Sequence, residues 1–387
     1  MVVGAGPAGL SAALGLRAQG LPVVVLEAEA KDRVRPGSRA LFVHGETLAL
    51  LEGMQPGLAE EITSYGRTWQ TKRTLYRGRE VYSRTFAPPP PSGPPPFTSL
   101  RQADTERFLR AACERAGVEF EWDARVTGVR TTEAGVELAC ADGREWSARY
   151  VVAADGARSA VRRGLGIAME GERGEGFHVV VDVAELPDTE PSSERVFHYE
   201  HPGVGRRSVM RVPFTGGFQM DLQCRDDDAQ EDFGTRESVR RWLPAVVGDA
   251  YAERLLWVST YRFLRMVAAE FADPRRRVLL VGEAAHLFPP FGARGMNSGI
   301  ADAAAAARAI AAGTAEAVAE FAVVRRAAAL FNSAAAGIAL DHLRPRRRIV
   351  RARQRAAAAL APVLPWCGAW LEYAPYGPGR GADGGGA

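Results

Sequence analysis

Gly4, Gly6 and Gly9 follow one another in the order Gly-x-Gly-x-x-Gly, between the apolar pair Val2-Val3 and a helix-forming run that opens with Pro7 and Ala8. This spacing suits the binding of a pyrophosphate. The first glycine permits a tight turn, the second lets the backbone approach a phosphate, and the third lets the helix pack closely on the strand. Free N–H groups and the positive end of the helix dipole complete the anion site. Glu27 closes the next apolar segment, where a carboxylate binds a ribose hydroxyl. NAD and FAD both satisfy this first motif.

Two further motifs separate them. Asp155-Gly156-Ala157-Arg158-Ser159 follows the apolar run Val151–Ala154; by itself it is equally a strand–turn–helix with Asp155 as cap. Later, Leu279-Leu280-Val281 leads into Gly282-Glu283, and Pro289-Pro290-Phe291-Gly292 precedes Gly295-Met296-Asn297-Ser298-Gly299. Glu283 is placed to accept hydrogen bonds from ribityl hydroxyls. A helix starting near Asn297 would direct its N-terminus at the pyrimidine edge of an isoalloxazine, where a reduced flavin gathers negative charge. A simple NAD dehydrogenase needs neither element.

With these motifs the chain resembles the class A flavoprotein monooxygenases, the para-hydroxybenzoate hydroxylase-type aromatic hydroxylases. The likeness rests on the glycine triplet, on Asp155-Gly156, on Gly282-Glu283 and on the stretch from Pro289 to Asp302. It covers the flavin scaffold to about residue 335 and is weak across the middle of the chain. The resemblance implies that Arg39 and Gln102 also touch FAD. It further implies NADPH or NADH as a transient reductant, a flavin C4a-hydroperoxide formed from molecular oxygen, and hydroxylation of a phenolic or polycyclic aromatic small molecule. Glu283 stands where the family carries aspartate, and the first strand is shorter than is usual there. Alternatives on the same scaffold are an FAD-dependent reductase or desaturase, which puts no oxygen into its product, and a non-catalytic flavin-binding protein. A flavin halogenase would carry Trp-x-Trp-x-Ile-Pro, which this sequence lacks.

No residue is assigned a catalytic role. Candidates to meet the substrate are His198, Gln219, Pro290 and Phe291. His198 and Tyr199 are neighbours on one strand, so alternation should send only one of them into a cavity. Gln219 and Asp221 share a face of another strand, and ordinary sheet filling competes with a functional role for each of these residues. His286, just after Gly282-Glu283, reads as a structural histidine near the flavin.

The elements that must position these residues form an α/β chain. The expected architecture is a Rossmann-type FAD-binding domain with an inserted antiparallel-sheet substrate domain and a helical C-terminus. Residues 1–75, 101–170 and 266–335 are assigned to the FAD-binding domain. Residues 76–100 form a substrate-domain loop that includes the proline run at Pro88–Pro91, 171–265 the substrate-binding sheet, and 336–387 a C-terminal helical segment and tail. Expected elements include a helix from Pro7 to Gln19, a short helix at Thr47–Leu51, strands at Thr71–Tyr76 and Glu80–Thr85, and a helix capped by Asp104.

The 387 residues are 47% hydrophobic, enough for about two domains. The net charge of +3 gives no strong pull toward nucleic acid, and the arginines from Arg344 to Arg355 read as a solvated helix face. Lys31 and Lys72 are the only lysines. The four cysteines, Cys113, Cys140, Cys224 and Cys367, lie far apart and read as reduced thiols, with no metal site. Expectations for the whole chain are therefore a cytoplasmic monomer or homodimer, with no membrane span and no nucleic-acid partner.

Overall fold

The computed structural model describes residues 1–33, 41–87, 94–190 and 192–378. Arg39 and the prolines at 88–91 lie outside them.

A five-stranded parallel sheet carries the three motifs. Its strands lie in the order Val278–Leu280, Val151–Ala153, Val2–Val3, Val24–Leu26 and Glu119–Glu121. The three strands leading into the glycine turn, Asp155 and Gly282 are therefore immediate neighbours. Parallel strands end on the same side, so their three loops converge beyond one edge of the sheet. The unbroken Val/Leu character of these strands follows from burial on both faces: Val2, Val25, Val151, Val152, Leu279 and Leu280 are fully buried.

The helices Pro7–Ala18 and Arg294–Ala312 pack against each other beside this sheet. Small residues permit the approach, since a Cβ on Gly15 would lie 2.9 Å from that of Ala307. The second helix begins at Arg294, a turn earlier than the expected start near Asn297, with Ala293 in the left-handed region as its cap. The helix expected at Asp104 is likewise longer, Gln102–Arg115. Arg101 caps it, and Asp104 pairs with the Arg101 guanidinium at 3.0 Å instead.

The second large sheet has eight strands in the order His286–Leu287, Leu255–Ala268, Met169–Ala184, Gly217–Gln223, Arg207–Phe214, Glu194–His201, Thr71–Tyr76 and Arg79–Thr85. All its pairs are antiparallel except one, because Glu194–His201 and Thr71–Tyr76 run parallel. The sheet expected to be antiparallel is therefore mixed, and the division expected at residues 75/76 cuts through one of its strands. The hairpin of residues 71–85 comes from the first part of the chain and adds to an edge that the middle segment leaves open.

Strand alternation gives this sheet two different faces. Val179, Val181, Val183, Met220 and Leu222 are buried with Val239 and Trp242 from the helix Arg236–Trp242, an element the sequence reading missed. The opposite face carries Lys72, His178, Val180, Arg195, Phe197, Gln219, Asp221 and Gln223, brought into register by the pairings Val180 with Asp221, Asp221 with Met210, and Arg195 with Lys72.

The C-terminal helices Arg348–Leu360 and Pro365–Tyr373 fold back onto Tyr76, Phe197, Tyr199 and Phe291. Part of the arginine run is anchored rather than solvated. Arg344 pairs with Asp226, and Arg346 lies 3.2 Å from the same carboxylate. The helix Ala315–Leu343 is long and apolar enough to cross a membrane by length and composition. Within it, Arg325 pairs with Asp302 at 2.6 Å and Arg326 with Glu170 at 3.1 Å. All four cysteines are buried and free of disulfides.

Candidate cofactor and substrate site

One cavity of about 1190 Å³ runs from the edge of the parallel sheet to the polar face of the large sheet. Gly4, Gly6, Pro7 and Ala8 line one end, together with Glu27, Gln102, Asp155, Gly282 and Glu283. Gly295 and Met296 line it further along, with Pro290 and Phe291.

The glycines are required by space as well as by conformation. Gly4 has φ +101°, and a Cβ there would lie 2.5 Å from the Ala154 carbonyl oxygen. A Cβ on Gly9 would lie 1.9 Å from the Gly4 carbonyl oxygen. Gly9 therefore serves helix–strand packing, as the motif requires, while Gly6 caps the helix at the cavity wall. Gly282, with φ +59°, would place a Cβ 2.9 Å from that of Ala8, which brings the third motif onto the first.

Glu27 is nearly buried. Its carboxylate accepts hydrogen bonds from the Ala5 N–H at 2.6 Å and the Glu29 N–H at 3.1 Å. It thus braces the glycine turn, and a carboxylate retains capacity for further donors such as ribose hydroxyls. Asp155 accepts from the Val161 N–H through Oδ2 at 3.1 Å, while Ser159 caps the short helix Ala160–Gly164. The other Asp155 oxygen is buried without a hydrogen-bond partner at the cavity wall, so it awaits a donor. Glu283 is exposed at the same wall. The cradle, the open helix N-terminus and this orphaned oxygen together fit FAD, whose diphosphate and ribityl chain supply the complementary groups.

Asn297, expected among the cofactor-binding residues, has its side-chain amide engaged within the protein. Its amide donates to the carbonyls of Phe42 at 2.9 Å and Ala293 at 2.8 Å, and accepts from the His44 N–H at 3.0 Å. Its side chain ties the helix start to the strand Phe42–His44. Gln102 lines the cavity and donates to Glu106 at 2.9 Å. The structural reading of His286 fits its contacts. Its Nε2 lies 2.7 Å from Asp302, and its ring stacks on Phe288 with centroids 4.5 Å apart.

Of the substrate candidates, Gln219, Pro290 and Phe291 line the cavity. His198 does not. It lies on the other face of its strand, where it accepts from the Gly78 N–H at 2.8 Å and packs on His201. Tyr199 shares the face of Arg195 and Phe197, but the C-terminal helices cover it. It hydrogen-bonds to His342 at 2.8 Å and to the Leu371 carbonyl at 2.6 Å. Neither of the two neighbours enters the cavity, and Phe197 lines it instead.

The sequence reading missed several residues of the sheet wall. Lys72, His178, Arg195, Trp257 and Tyr261 border the cavity, joined there by Tyr376 from the C-terminal segment. The signal was alternation from Gln219 and Asp221 carried across neighbouring strands, but the register of those strands is not written locally. Burial dominates the electrostatics here. Burial, with some help from Arg344, lowers the His178 imidazole to about 3 and keeps it neutral. Burial lowers the Lys72 ammonium to about 8 against the opposing pull of Glu372. Burial, reinforced by the charge of Asp182, raises the Asp221 carboxyl to about 7. Asp182 itself accepts from Gln219 Nε2 at 2.9 Å. Among the described residues, no group of three or more His, Cys, Asp or Glu side chains is placed to hold a metal ion.

A mixed α/β fold with this cradle defines a flavin-binding class of protein. Residues 1–321 match the FAD binding domain family, and the chain belongs to that family. The resemblance to class A flavoprotein monooxygenases drawn from the motifs is thereby borne out. The 3-(3-hydroxy-phenyl)propionate/3-hydroxycinnamic acid hydroxylase of Mycobacterium avium (strain 104) is 30% identical over 319 residues, 79% of this chain and 53% of that protein. The rifampicin monooxygenase of Streptomyces venezuelae is 30% identical over 329 residues, 78% of this chain and 62% of that protein. The chain thus spans between 53% and 62% of the length of these two relatives. The p-nitrophenol 4-monooxygenase of Pseudomonas putida DLL-E4 shares the fold, with a TM-score of 0.77 over 98% of both chains at 24% identity. Aklavinone-11 hydroxylase, solved with FAD and aklavinone, gives 0.73 over 89% of this chain and 68% of that one at 25% identity.

Proposed function

We propose that the protein is an FAD-dependent monooxygenase that uses NADH or NADPH and molecular oxygen to hydroxylate a phenolic or polycyclic aromatic small molecule. The observation that carries this reading is the continuity of the cavity. The flavin cradle at one end opens directly onto an aromatic and polar sheet wall at the other. The activities of the relatives, hydroxylation of hydroxyphenylpropionate and oxygenation of rifampicin among them, support the same reaction class.

When bound and reduced, FAD supplies the electrons and activates oxygen for transfer of one atom to an electron-rich ring. The chain's own residues bind, orient and shield. The N-terminus of the helix Pro7–Ala18 and the glycine turn receive the diphosphate. Asp155 and Glu283 offer carboxylate oxygens to the hydroxyls of the linking chain. The N-terminus of the helix Arg294–Ala312, with Gly295 and Met296 at the wall, would present its positive end to the ring. Phe97, Trp257, Tyr261 and Phe291 line the same cavity and would shield the ring of an aromatic substrate from water.

The test is oxygen uptake by the purified, FAD-loaded protein with NADH or NADPH and a panel of phenols, followed by product mass under labelled oxygen. One labelled atom in the product is the expected result. Substrate turnover without label would mean hydride chemistry on the same scaffold, and a protein that stays colourless with added FAD would overturn the reading altogether.

A further inference from the structure

Two buried cations face the substrate end of the cavity, and neither is used by the flavin cradle. Lys72 and Arg195 stand opposite each other on the paired strands Thr71–Tyr76 and Glu194–His201 and both border the cavity. Lys72 is 5% exposed and Arg195 1%. A charge buried this deeply requires a partner. The only carboxylate in ion-pair range of either among the described residues is Glu372, itself fully buried.

The partnership is incomplete. Lys72 Nζ and Arg195 Nη1 both reach the same Glu372 oxygen at 3.6 Å, beyond hydrogen-bond distance. Both Glu372 oxygens, and the Nε and Nη1 of Arg195, lack hydrogen-bond partners. Two cations against one carboxylate leave a net positive charge. Asp221, on the same wall, makes no ion pair with either of them. The Tyr376 ring lies under both cations, with Lys72 Nζ and Arg195 Cζ each 4.8 Å from its centroid. That arrangement stabilises cations without neutralising them. The site is thus built for one more anion, on a wall it shares with His178, Gln219 and Asp221.

We propose that Lys72 and Arg195 form the seat for an anionic oxygen group on the aromatic substrate, a carboxylate or a phenolate, with Glu372 as the internal counter-ion that holds the pair in place in the free protein. The inference rests on the aromatic-hydroxylase reading of the cavity and names its substrate class. It also gives the C-terminal helix Pro365–Tyr373, which carries Glu372, a part in substrate choice.

Calorimetric titration of the FAD-loaded protein tests the seat without turnover. The probes are 3-hydroxycinnamate against its neutral carboxamide for the carboxylate source, and 4-nitrophenolate against nitrobenzene for the phenolate source. The charged member of at least one pair is expected to bind at least about tenfold tighter, the scale of a charge-assisted hydrogen bond. Lys72→Gln and Arg195→Gln are expected to erase that preference while leaving the neutral probe within about threefold. Glu372→Gln removes the competing carboxylate and is expected to tighten the anion several-fold. A purely structural ion cluster predicts instead that Glu372→Gln weakens both members of a pair alike. Should Arg195→Gln fail to accumulate as folded protein, the opposite signs expected for Lys72→Gln and Glu372→Gln still decide the matter. Equal binding of charged and neutral probes by the unmodified protein, or equal losses for both in the variants, overturns the seat. Oxygen uptake stimulated equally by neutral and anionic rings would do the same and leave the hydroxylase reading standing. Anion-selective binding with no oxygen uptake on any bound ring would sink the hydroxylase reading and leave the seat.

Discussion

Arg162 reaches from the helix that follows Asp155 to the carbonyl of Ala284 at 3.0 Å, and so joins two of the three loops that form the flavin cradle. The guanidinium is nearly buried. Burial lowers its pKa, and the nearby Asp155 carboxylate works in the opposite direction. Removing the side chain leaves a buried carbonyl without its donor and separates Asp155 from Glu283. Arg162→Ala is expected to cost about 2–3 kcal/mol of stability and to weaken FAD binding in the same preparation. Urea denaturation with and without FAD measures both. An unchanged flavin affinity would show that the two loops hold their places independently.

Asp302 is clamped from two sides, by His286 Nε2 at 2.7 Å and Arg325 Nε at 2.6 Å, and it also accepts from the Gly282 N–H at 3.2 Å. Burial alone would push its carboxyl up. His286 and Arg325 overcome that and hold it below the usual carboxylate range. A carboxyl depressed in the folded state contributes stability that is present above its unfolded pKa and lost as pH falls through the folded value. Asp302→Asn should therefore cost about 3 kcal/mol near neutrality, with the gap to the unmodified protein closing in acid. Parallel melting curves across the acid range check the sign.

The glycine turn gives the sharpest steric prediction. A methyl on Gly9 would sit 1.9 Å from the Gly4 carbonyl oxygen, a backbone atom that cannot swing away. Gly9→Ala must lift the first helix off its strand and pull the N–H groups out of line with a diphosphate. Gly6→Val should fail by a different route, because its side chain would occupy phosphate space at the helix cap. Both variants are expected to purify without flavin, read as the loss of visible absorbance after dialysis. A yellow Gly6→Val protein would relocate the diphosphate.

Asp221 runs opposite to Asp302. Burial and Asp182 raise its carboxyl from 3.8 to about 7. Between those values the folded protein holds a proton that the unfolded chain has released. Its contribution to stability therefore falls as pH rises through that window, by at most about 4 kcal/mol. Asp221→Asn is expected to melt higher than the unmodified protein above pH 7 and to match it in acid. A variant that loses stability equally at both ends would show that the carboxylate is ionised and held by partners.

The contrast between motif and wall shows what a sequence makes legible. Gly4, Asp155 and Gly282 follow strand ends, Gly6 and Gly9 open the first helix, and each of these turns is written within a short local stretch. The wall depends on pairings between distant segments. Thr71–Tyr76 reads as a strand, but its parallel pairing with Glu194–His201 places Lys72 opposite Arg195 across more than a hundred residues of chain. The same long-range assembly misdirected the reading of His198. Its strand was found, but which face meets the cavity depends on the sheet as a whole. A register break between His198 and His201, with Glu200 at φ +46°, further disturbs the alternation there. Asn297 lies within the recognised motif, yet its amide serves the strand Phe42–His44, a partner that no local pattern announces.

Tyr199 connects this assembly to the C-terminal helix. Its hydroxyl donates to the Leu371 carbonyl at 2.6 Å and accepts from His342 Nε2 at 2.8 Å, while Gln354 donates to the His342 carbonyl at 2.8 Å. Leu371 precedes Glu372, so the same hydroxyl that fixes the helix also fixes the carboxylate facing Lys72 and Arg195. Tyr199→Phe keeps the ring against Phe197, whose centroid lies 4.5 Å away. It strands a buried carbonyl and a buried imidazole N–H, at a cost of about 2 kcal/mol. The loss should be local before it is global. Amide exchange is expected to quicken across residues 365–378 while the parallel sheet keeps its protection, and FAD affinity should stay unchanged because the cradle lies on the other sheet. If exchange quickens uniformly over the whole chain instead, the C-terminal helix is part of one cooperative core and the tyrosine holds no separate element in place.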